Sequence, residues 1–335
     1  MNKIKAAIVG LGRIAGLLEE DSLREKPCTH AGAISANADC ELAAGCDIDE
    51  ERRRLFAQKW QVPVYADAAE MLHVHKPQIM AIATHPDSHY HYCRLAADLG
   101  VQAVICEKPL ADNIREARKI AQLAKGGLAI VTNHERRYSE DYIRAKSVLD
   151  SGKLGGLLSA RAVLYMGRTQ RLLDVLWHDG THLADAIMFL TGMNLKHKKH
   201  WGVKLSANAG TAWLEGELTM GKGKKDANSS PLPINIEIGA GRDHLVFEIE
   251  FSCEKGRLRI GNGIFEVWES VSSPYAEKFR SLRKTDETFS GPTGYFANMV
   301  KDAVACASEP GRLPRSSAAD GLRVIEYLNS IKAWR

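Results

Sequence analysis

The chain has 335 residues, of which 45% are hydrophobic and 26% charged, an ordinary balance for a soluble globular protein. Its 45 basic against 41 acidic residues give a formal charge of +4, too small to indicate nucleic-acid binding. No stretch reaches the length of a membrane span, and the N-terminus does not resemble a signal peptide. Seven cysteines without C-x-x-C pairs are typical of reduced, buried thiols, so we expect a cytoplasmic protein.

The pattern of apolar residues predicts two domains. Within residues 1–132, five near-continuous apolar runs of strand length alternate with helical stretches: "KAAIVG", "ELAAGCD", "IMAIAT", "QAVICE" and "LAIVTN". Such runs are typical of parallel strands buried on both faces, so we expect an α/β fold with a Rossmann, doubly wound sheet. From about residue 199 to 270, apolar and polar residues alternate, which predicts antiparallel strands. We therefore assign residues 133–335 to an α+β domain for substrate binding and oligomerisation, with an open, mostly antiparallel sheet.

The stretch "IVGLGRIAG" follows the first predicted strand and has the spacing of a dinucleotide-binding turn. Gly10 permits the tight turn, Gly12 lets the backbone approach a pyrophosphate, and Ala15 allows close packing of the next helix. We expect Arg13 and Ile14, between these positions, to contribute to the same cofactor site. The motif alone is weak evidence, but its place after the first strand of a βαβ series strengthens it.

An acidic residue that ends the second strand usually binds the adenosine ribose, and Asp47 has this place. Because a 2′-phosphate would meet a like charge there, we expect NAD rather than NADP. Two alternatives stay open: Asp49 could bind the ribose while Asp47 caps the next helix, or an arginine of "EERRR" could bind a phosphate. The segment "LLEEDSLREKPCT" is interpreted as an insertion that splits the first helix.

Two turns after later strands carry further candidates. Thr84 and Pro86, in "ATHPDSHYHYC", are expected beneath the nicotinamide half of the cofactor. The three histidines of this segment suggest zinc, but without matched ligands elsewhere we interpret them as turn and helix-surface residues. Glu107 and Lys108 begin the tripeptide E-K-P at the end of the fourth run, "QAVICE". A lysine beside a nicotinamide would suit a hydrogen bond to a reacting hydroxyl, although a surface Glu–Lys pair explains the tripeptide alone.

The stretch "WHDGTHLADAIMFL" predicts one helix with His178, His182 and Asp185 on a single face. A histidine there could accept a proton from a substrate hydroxyl while a carboxylate fixes its tautomer. The pair of histidines could also hold a metal, but the extra carboxylate of H-E-x-x-H is missing. One satisfied and one exposed helix histidine is the simplest structural alternative.

Together these residues resemble the Gfo/Idh/MocA family of oxidoreductases over nearly the whole chain. The resemblance includes the Gly-rich turn, E-K-P, "HERRY" at 134–138, "GTHLAD" at 180–185 and the terminal "PRSSAADGLRVIE". It implies that Lys108 is the catalytic lysine and that His182 transfers the proton. It also implies that Glu107 shapes the nicotinamide site and that Arg137 lies near the cofactor or the domain junction. The family often has aspartate where this chain has His178, so His178 or Asp179 could share the acid–base role.

The leading hypothesis is an NAD(P)-dependent dehydrogenase, with NAD favoured, acting on a CH–OH group of a sugar, cyclitol or sugar derivative. Arg168 and Arg171 suggest an anionic substrate, although a solvated loop explains them equally well. The alternatives are a non-catalytic dinucleotide-binding regulatory protein of the same fold and a metal-dependent lyase or hydrolase. We expect a homodimer or homotetramer through the C-terminal sheet, and neither nucleic acid, membrane nor metal as a partner.

Overall fold

The computed structural model describes residues 3–167, 171–202, 204, 206–220 and 230–332. Contacts divide the chain into two units, the first comprising residues up to 140 together with 292–325, and the second comprising residues 141–291 and those from 326 onward. This division falls after residue 140, whereas the boundary at residue 132 stays a prediction. It also assigns residues 292–325, which were predicted to belong to the second domain, to the first unit.

The first unit contains a parallel sheet of six strands in the order β3-β2-β1-β4-β5-β6. Its strands are β1 (Ile4–Val9), β2 (Cys40–Cys46), β3 (Val64–Tyr65), β4 (Ile79–Ile82), β5 (Ala103–Cys106) and β6 (Ala129–Thr132). Its helices are α1 (His30–Ala36), α2 (Glu50–Trp60), α3 (Ala68–His75), α4 (His89–Asp98), α5 (Ile114–Lys125) and α9 (Tyr295–Ser308). The five apolar runs of the sequence form β1, β2, β4, β5 and β6, which confirms the predicted doubly wound sheet.

These strands form because their side chains are apolar on both faces and are covered by helices. Every residue of β4 and β5 is buried, as expected for central parallel strands. Turn chemistry starts the helices: the side chains of Thr29, Asp49 and Asn113 accept backbone N–H groups in the first turns of α1, α2 and α5. Each strand therefore ends in a defined turn at the carboxyl edge of the sheet, where such folds bind ligands.

Helix α9 belongs to the first unit although it lies near the end of the chain. Phe296, Met299 and Val300 are fully buried in one apolar cluster with residues of the parallel strands. The sequence predicted the helix itself but assigned it to the second domain. Because the apolar face of a helix carries no information about which sheet it covers, this assignment required the structure.

The second unit contains a sheet of eight strands in the order β14-β13-β12-β11-β7-β10-β9-β8. The strands are β7 (Leu157–Tyr165), β8 (Asn194–Gly202), β9 (Gly210–Thr219), β10 (Leu232–Ala240), β11 (Val246–Cys253), β12 (Gly256–Gly261), β13 (Ile264–Ser272) and β14 (Arg280–Lys284). All neighbours are antiparallel except β7 and β10. This confirms the predicted open, mostly antiparallel sheet. Strand β8 begins earlier than predicted, because its polar run "KHKKH" does not alternate between apolar and polar residues.

Helices of the second unit are α6 (Glu140–Asp150), α7 (Leu172–His178) and α8 (Gly180–Thr191). The last helix, α10 (Ala318–Lys332), is divided between the units after Ile325. The single helix predicted for "LWHDGTHLADAIMFLTG" is therefore wrong, since the chain breaks at Asp179 into α7 and α8. Among the described helices, none is long and apolar enough to cross a membrane.

Candidate active site

The Gly-rich turn after β1 has the geometry of a phosphate cradle. Gly10 has φ +85°, and a Cβ there would lie 2.8 Å from the carbonyl of Ala83, so the turn excludes any larger residue. A Cβ at Gly12 would meet none of the described atoms within 4 Å, so the backbone is open to close approach at this point. Ala15 is fully buried. The residues that the motif selects thus fit a dinucleotide pyrophosphate.

Asp47 is held against this turn by backbone hydrogen bonds. Its Oδ2 accepts the N–H of Leu11 at 2.7 Å, and its Oδ1 accepts the N–H of Asp49 at 2.9 Å. The Asp49 side chain accepts the N–H of Arg52 at 3.0 Å and caps α2. Asp49, and not Asp47, is therefore the helix cap, and the alternative that gave capping to Asp47 is wrong in this respect.

Three arginines follow Asp47, and each has a different environment. Arg53 donates to the backbone oxygens of Asp47 and Ile48, while Arg54 pairs with Glu51 on the surface of α2. The Arg52 guanidinium lies 3.7 Å from Asp47 Oδ2, and its side chain is 53% exposed. Of the three, Arg52 alone stands beside the Asp47 carboxylate with an exposed guanidinium that could reach a phosphate.

The turn after β4 is tied to the E-K-P turn by a buried histidine. Ser88 donates its hydroxyl to Thr84 Oγ1 at 2.7 Å, and Pro86 begins the short 3₁₀ helix of this turn. His89 is fully buried, with its ring nitrogens 3.1 Å from Thr84 O and 3.2 Å from Leu110 O. Burial lowers the pKa of His89, because removal from water disfavours the imidazolium. The predicted surface placement is therefore wrong for His89.

Glu107 ends β5 as a buried, hydrogen-bonded carboxylate. Its Oε1 lies 2.7 Å from His30 Nε2 and accepts Asn133 Nδ2 at 2.5 Å, while its Oε2 accepts the N–H of Lys108 at 3.3 Å. Burial alone would raise the pKa of Glu107, but the hydrogen bonds from His30 and Asn133 outweigh burial and lower this pKa. A surface Glu–Lys pair does not describe this arrangement, because Glu107 is buried and Lys108 is half-buried.

His30 is a component of this cluster that the sequence did not single out. It is the first residue of α1, directly after the inserted segment, and it is separated from Glu107 by 77 positions. A histidine at the start of a helix has no sequence pattern that would indicate a buried carboxylate partner 77 positions later.

Arg137 is buried in the first unit and is engaged with the chain itself. Its Nη1 lies 3.1 Å from Asp320 Oδ1 and donates to the backbone oxygen of Arg315 at 3.2 Å. Burial opposes ionisation of Asp320, but the Arg137 charge and the Ser317 hydrogen bonds prevail and lower the pKa of Asp320. A cofactor-binding role for Arg137 stays a prediction.

In the second unit, the break at Asp179 separates the two candidate histidines. His178 ends α7 with its side chain 73% exposed and its Nδ1 3.3 Å from Asp179 Oδ1. His182 lies in the first turn of α8, where its N–H donates to Asp179 O at 3.1 Å. The single helix predicted to carry His178, His182 and Asp185 is therefore interrupted, and Asp185 is fully buried. The other Asp179 oxygen, Oδ2, is buried without a hydrogen-bond partner among the described residues.

The arginines that suggested an anionic substrate give limited structural information. Arg168 lies outside the described residues. Arg171 donates to both carboxylate oxygens of Asp174, at 2.6 and 2.7 Å, so this charge is already neutralised by a neighbour in sequence. Among the described residues, no group of three or more His, Cys, Asp and Glu side chains could hold a metal ion.

Comparison with known proteins finds a family match within the first unit. Residues 4–134 match the sequence model of the GFO_IDH_MocA family, described as an oxidoreductase family with an NAD-binding Rossmann fold. This segment is therefore similar to the NAD-binding domain of the Gfo/Idh/MocA oxidoreductases. The Gly-rich turn, Asp47 and the E-K-P turn all lie in the matched segment.

Several curated relatives match part of the chain. D-apiose dehydrogenase of Paraburkholderia graminis is 31% identical over 45% of this chain and 43% of its own length. Inositol 2-dehydrogenase of Gluconacetobacter diazotrophicus is 31% identical over 49% of this chain and 47% of its own length. D-glucoside 3-dehydrogenase of Escherichia coli is 26% identical over 56% and 54%, respectively. The matched segments thus span about half the length of these relatives.

Solved structures share the fold of the whole chain at low sequence identity. A dehydrogenase from Chromobacterium violaceum is 16% identical with a TM-score of 0.77, covering 99% of this chain and 95% of that one. An oxidoreductase from Agrobacterium radiobacter, solved with NAD⁺, L-tartaric acid and magnesium, is 18% identical with a TM-score of 0.71, covering 99% and 96%. The chain therefore shares its fold with these structures over nearly its whole length.

Proposed function

We propose that the protein is an NAD-dependent dehydrogenase that acts on a CH–OH group of a sugar, cyclitol or sugar derivative. The observation that carries this proposal is the Glu107–Lys108 turn, where a buried carboxylate fixes the backbone of a lysine at the carboxyl end of β5 in an NAD-binding domain. The names of the curated relatives, which are apiose, inositol and glucoside dehydrogenases, support the substrate class.

In this proposal, Lys108 binds the oxygen of the reacting carbon as a hydrogen-bond donor. His182 accepts the hydroxyl proton, and Asp179, whose Oδ2 has no partner among the described residues, orients the substrate or the imidazole. A bound nicotinamide supplies the hydride acceptor, so the alcohol carbon is oxidised to a carbonyl. His178 stays a candidate for the same acid–base role, and Arg168 stays a candidate for binding an anionic group of the substrate.

Preference for NAD over NADP is proposed from Asp47. Its carboxylate is held rigidly by two backbone N–H groups, so it cannot turn away from a ribose 2′-phosphate. Juxtaposition of like charges costs several kcal/mol. Arg52 is the feature that opposes this preference, since its exposed guanidinium lies next to the same carboxylate.

Assembly through the eight-stranded sheet is also part of the proposal. The outward side chains of β11, β12 and β13 form cross-strand ion pairs, among them Glu248–Arg259 and Arg259–Glu266. Trp213 and Leu158 remain exposed on the sheet. A homodimer or homotetramer would bury this face, and light scattering tests it directly.

Parallel titrations with NADH and NADPH, followed by nicotinamide fluorescence, test the cofactor assignment first. We expect tighter binding of NADH, after which reduction of NAD⁺ is screened over sugars, cyclitols and their acids. Lys108→Ala should abolish turnover while Lys125→Ala, an exposed lysine of α5, should not. Failure to bind either cofactor would refute the dehydrogenase. Cofactor binding with turnover unaffected by Lys108→Ala would refute the assigned lysine.

A further inference from the structure

His30 joins two parts of the predicted cofactor site that are far apart in the sequence. Its backbone N–H donates to Ile14 O at 3.2 Å, within the Gly-rich turn. Its side chain lies 2.7 Å from Glu107 Oε1, at the end of β5. The residue is fully buried, so both contacts are made away from water. One residue at the start of α1 thus links the phosphate turn, through its backbone, to the E-K-P turn, through its side chain.

The hydrogen bonds around Glu107 indicate which ring nitrogen of His30 carries the proton that faces this carboxylate. Asn133 Nδ2 and the Lys108 N–H can only donate, so both face Glu107 as an acceptor. A carboxylate with these donors is ionised, and His30 Nε2 must then supply a third N–H. His30 Nδ1 is buried without a hydrogen-bond partner among the described residues, and the Phe296 ring packs edge-on at 5.3 Å. An imidazole that carries a proton on Nε2 satisfies this arrangement.

We propose that His30 is a positioning residue for the hydride transfer proposed above, holding the Glu107 carboxylate and, through it, the backbone of Lys108 by donating Nε2–H. This inference rests on the proposed function, because it assigns His30 to the support of Lys108. His30 itself touches neither reacting atom in this scheme and acts through Glu107.

The effect expected from loss of the His30 donor follows from the cost of keeping the Glu107 charge buried. A carboxylate out of water is costly unless its oxygens are hydrogen-bonded, so removal of the His30 donor leaves Glu107 either protonated or displaced. Protonation weakens the hydrogen bond from the Lys108 N–H to Glu107, and displacement breaks it. Misplacement of a catalytic group by about 1 Å can cost roughly 100-fold in rate. The expected defect is therefore in kcat rather than in cofactor binding.

Two substitutions by residues similar in size to histidine distinguish hydrogen-bond donation by His30 from the packing of its side chain. His30→Leu fills the space without a donor, whereas His30→Gln can place an amide N–H near the position of Nε2. We expect His30→Leu to lower kcat by about 100-fold, with KM and the NADH dissociation constant changed less than about threefold. We expect His30→Gln to stay within about tenfold of the wild-type kcat. Thermal unfolding of the full chain reports whether both variants fold.

The outcomes distinguish this inference from the proposed function. If wild-type protein binds no nicotinamide cofactor, the proposed function fails and with it the assigned role. If wild-type protein turns over and both variants lose kcat equally, or neither does, donation by His30 is refuted while the dehydrogenase stands. Imidazole ¹⁵N NMR of the wild-type chain, with the His30 signal assigned from the His30→Gln spectrum, gives a further test. A proton on Nδ1 with a bare Nε2 would refute the proposal even if His30→Leu fails to fold.

Discussion

Glu25 and Thr293, 268 positions apart, meet at the start of α9. The Glu25 carboxylate accepts both the N–H and the hydroxyl of Thr293 at 2.8 Å, and the N–H of Gly294 at 2.7 Å. Residues before the first turn of a helix have N–H groups without helical partners, so Glu25 caps α9 from a distant part of the chain. Burial tends to raise the pKa of Glu25, but these hydrogen bonds outweigh burial and lower it.

Glu25→Ala should therefore destabilise the first unit. Loss of a helix cap typically costs about 1 kcal/mol, and the loss here includes two backbone donors and one hydroxyl. We expect urea unfolding to show a decrease of about 1–2 kcal/mol in the free energy of unfolding. Glu277→Ala removes an exposed carboxylate and is the control, for which no measurable change is expected. Equal stability of the two variants would show that the Glu25 contacts contribute nothing.

Asp47 offers a direct test of cofactor discrimination. In Asp47→Asn the charge that opposes a 2′-phosphate is lost, while an amide oxygen can still accept the Leu11 N–H. We expect the ratio of NADPH to NADH dissociation constants to fall at least tenfold, because a like-charge penalty of more than about 1.4 kcal/mol is removed. Fluorescence titration with both cofactors measures this ratio.

Arg52 provides the control for the same experiment. If its guanidinium binds the 2′-phosphate once Asp47 is neutral, the double variant Asp47→Asn/Arg52→Ala should lose the NADPH gain. Arg54→Ala, which removes a surface partner of Glu51, should leave the gain in place. An unchanged ratio in Asp47→Asn would place the ribose site elsewhere.

The buried Arg137–Asp320 pair predicts a pH dependence of stability. The pKa of Asp320 is lower in the folded than in the unfolded state, whose value is about 3.9, so the unfolded chain binds the proton more readily. Stabilisation by this pair is therefore complete above about pH 5 and is lost as the pH falls through 4 towards the folded pKa. Unfolding in urea between pH 6 and pH 3 measures the loss.

Asp320→Asn should remove this part of the pH dependence and the negative charge beside the buried Arg137 guanidinium. We expect a loss of about 3 kcal/mol at neutral pH, as for other buried pairs with one partner removed. Asp98→Asn is the matched control, because its i,i+4 partner Arg94 lies 2.8 Å away on an exposed surface. An exposed pair contributes under about 1 kcal/mol. Similar losses of unfolding free energy in both variants would show that burial of the Arg137–Asp320 pair does not increase its contribution to stability.

The sequence predicted those parts of the fold that local pattern determines. Runs such as "AVIC" form β5 because every residue is apolar, and the Gly10 turn follows from the conformation that only glycine adopts easily. Strand β3 was missed because two residues carry no pattern. The break at Asp179 was missed because apolar residues continue at helical spacing on both sides of it.

The other features that were not predicted from the sequence depend on contacts between residues far apart in the chain. Glu25 and His30 lie within or beside a segment interpreted as an insertion, yet one caps α9 and the other holds Glu107. Their partners lie at distances along the chain that no local period encodes. The E-K-P turn was recognised as a candidate, but burial of Glu107, which distinguishes it from a surface pair, depends on α1 and on Asn133.

The helix break at Asp179 predicts unequal roles for the two histidines beside it. His178 is mostly exposed, whereas His182 is half-buried in the first turn of α8. A general base in the proposed reaction contributes about 10²- to 10⁴-fold in rate, so His182→Ala should lower kcat/KM by at least 100-fold. His178→Ala should lower kcat/KM by less than about tenfold, because its imidazole is exposed to water. Steady-state kinetics with the substrate found by the screen measure both, and NADH binding should be unchanged in each variant. A larger loss of kcat/KM in His178→Ala than in His182→Ala would assign the proton transfer to His178. Asp179, beside His178, would then be the residue that orients the imidazole.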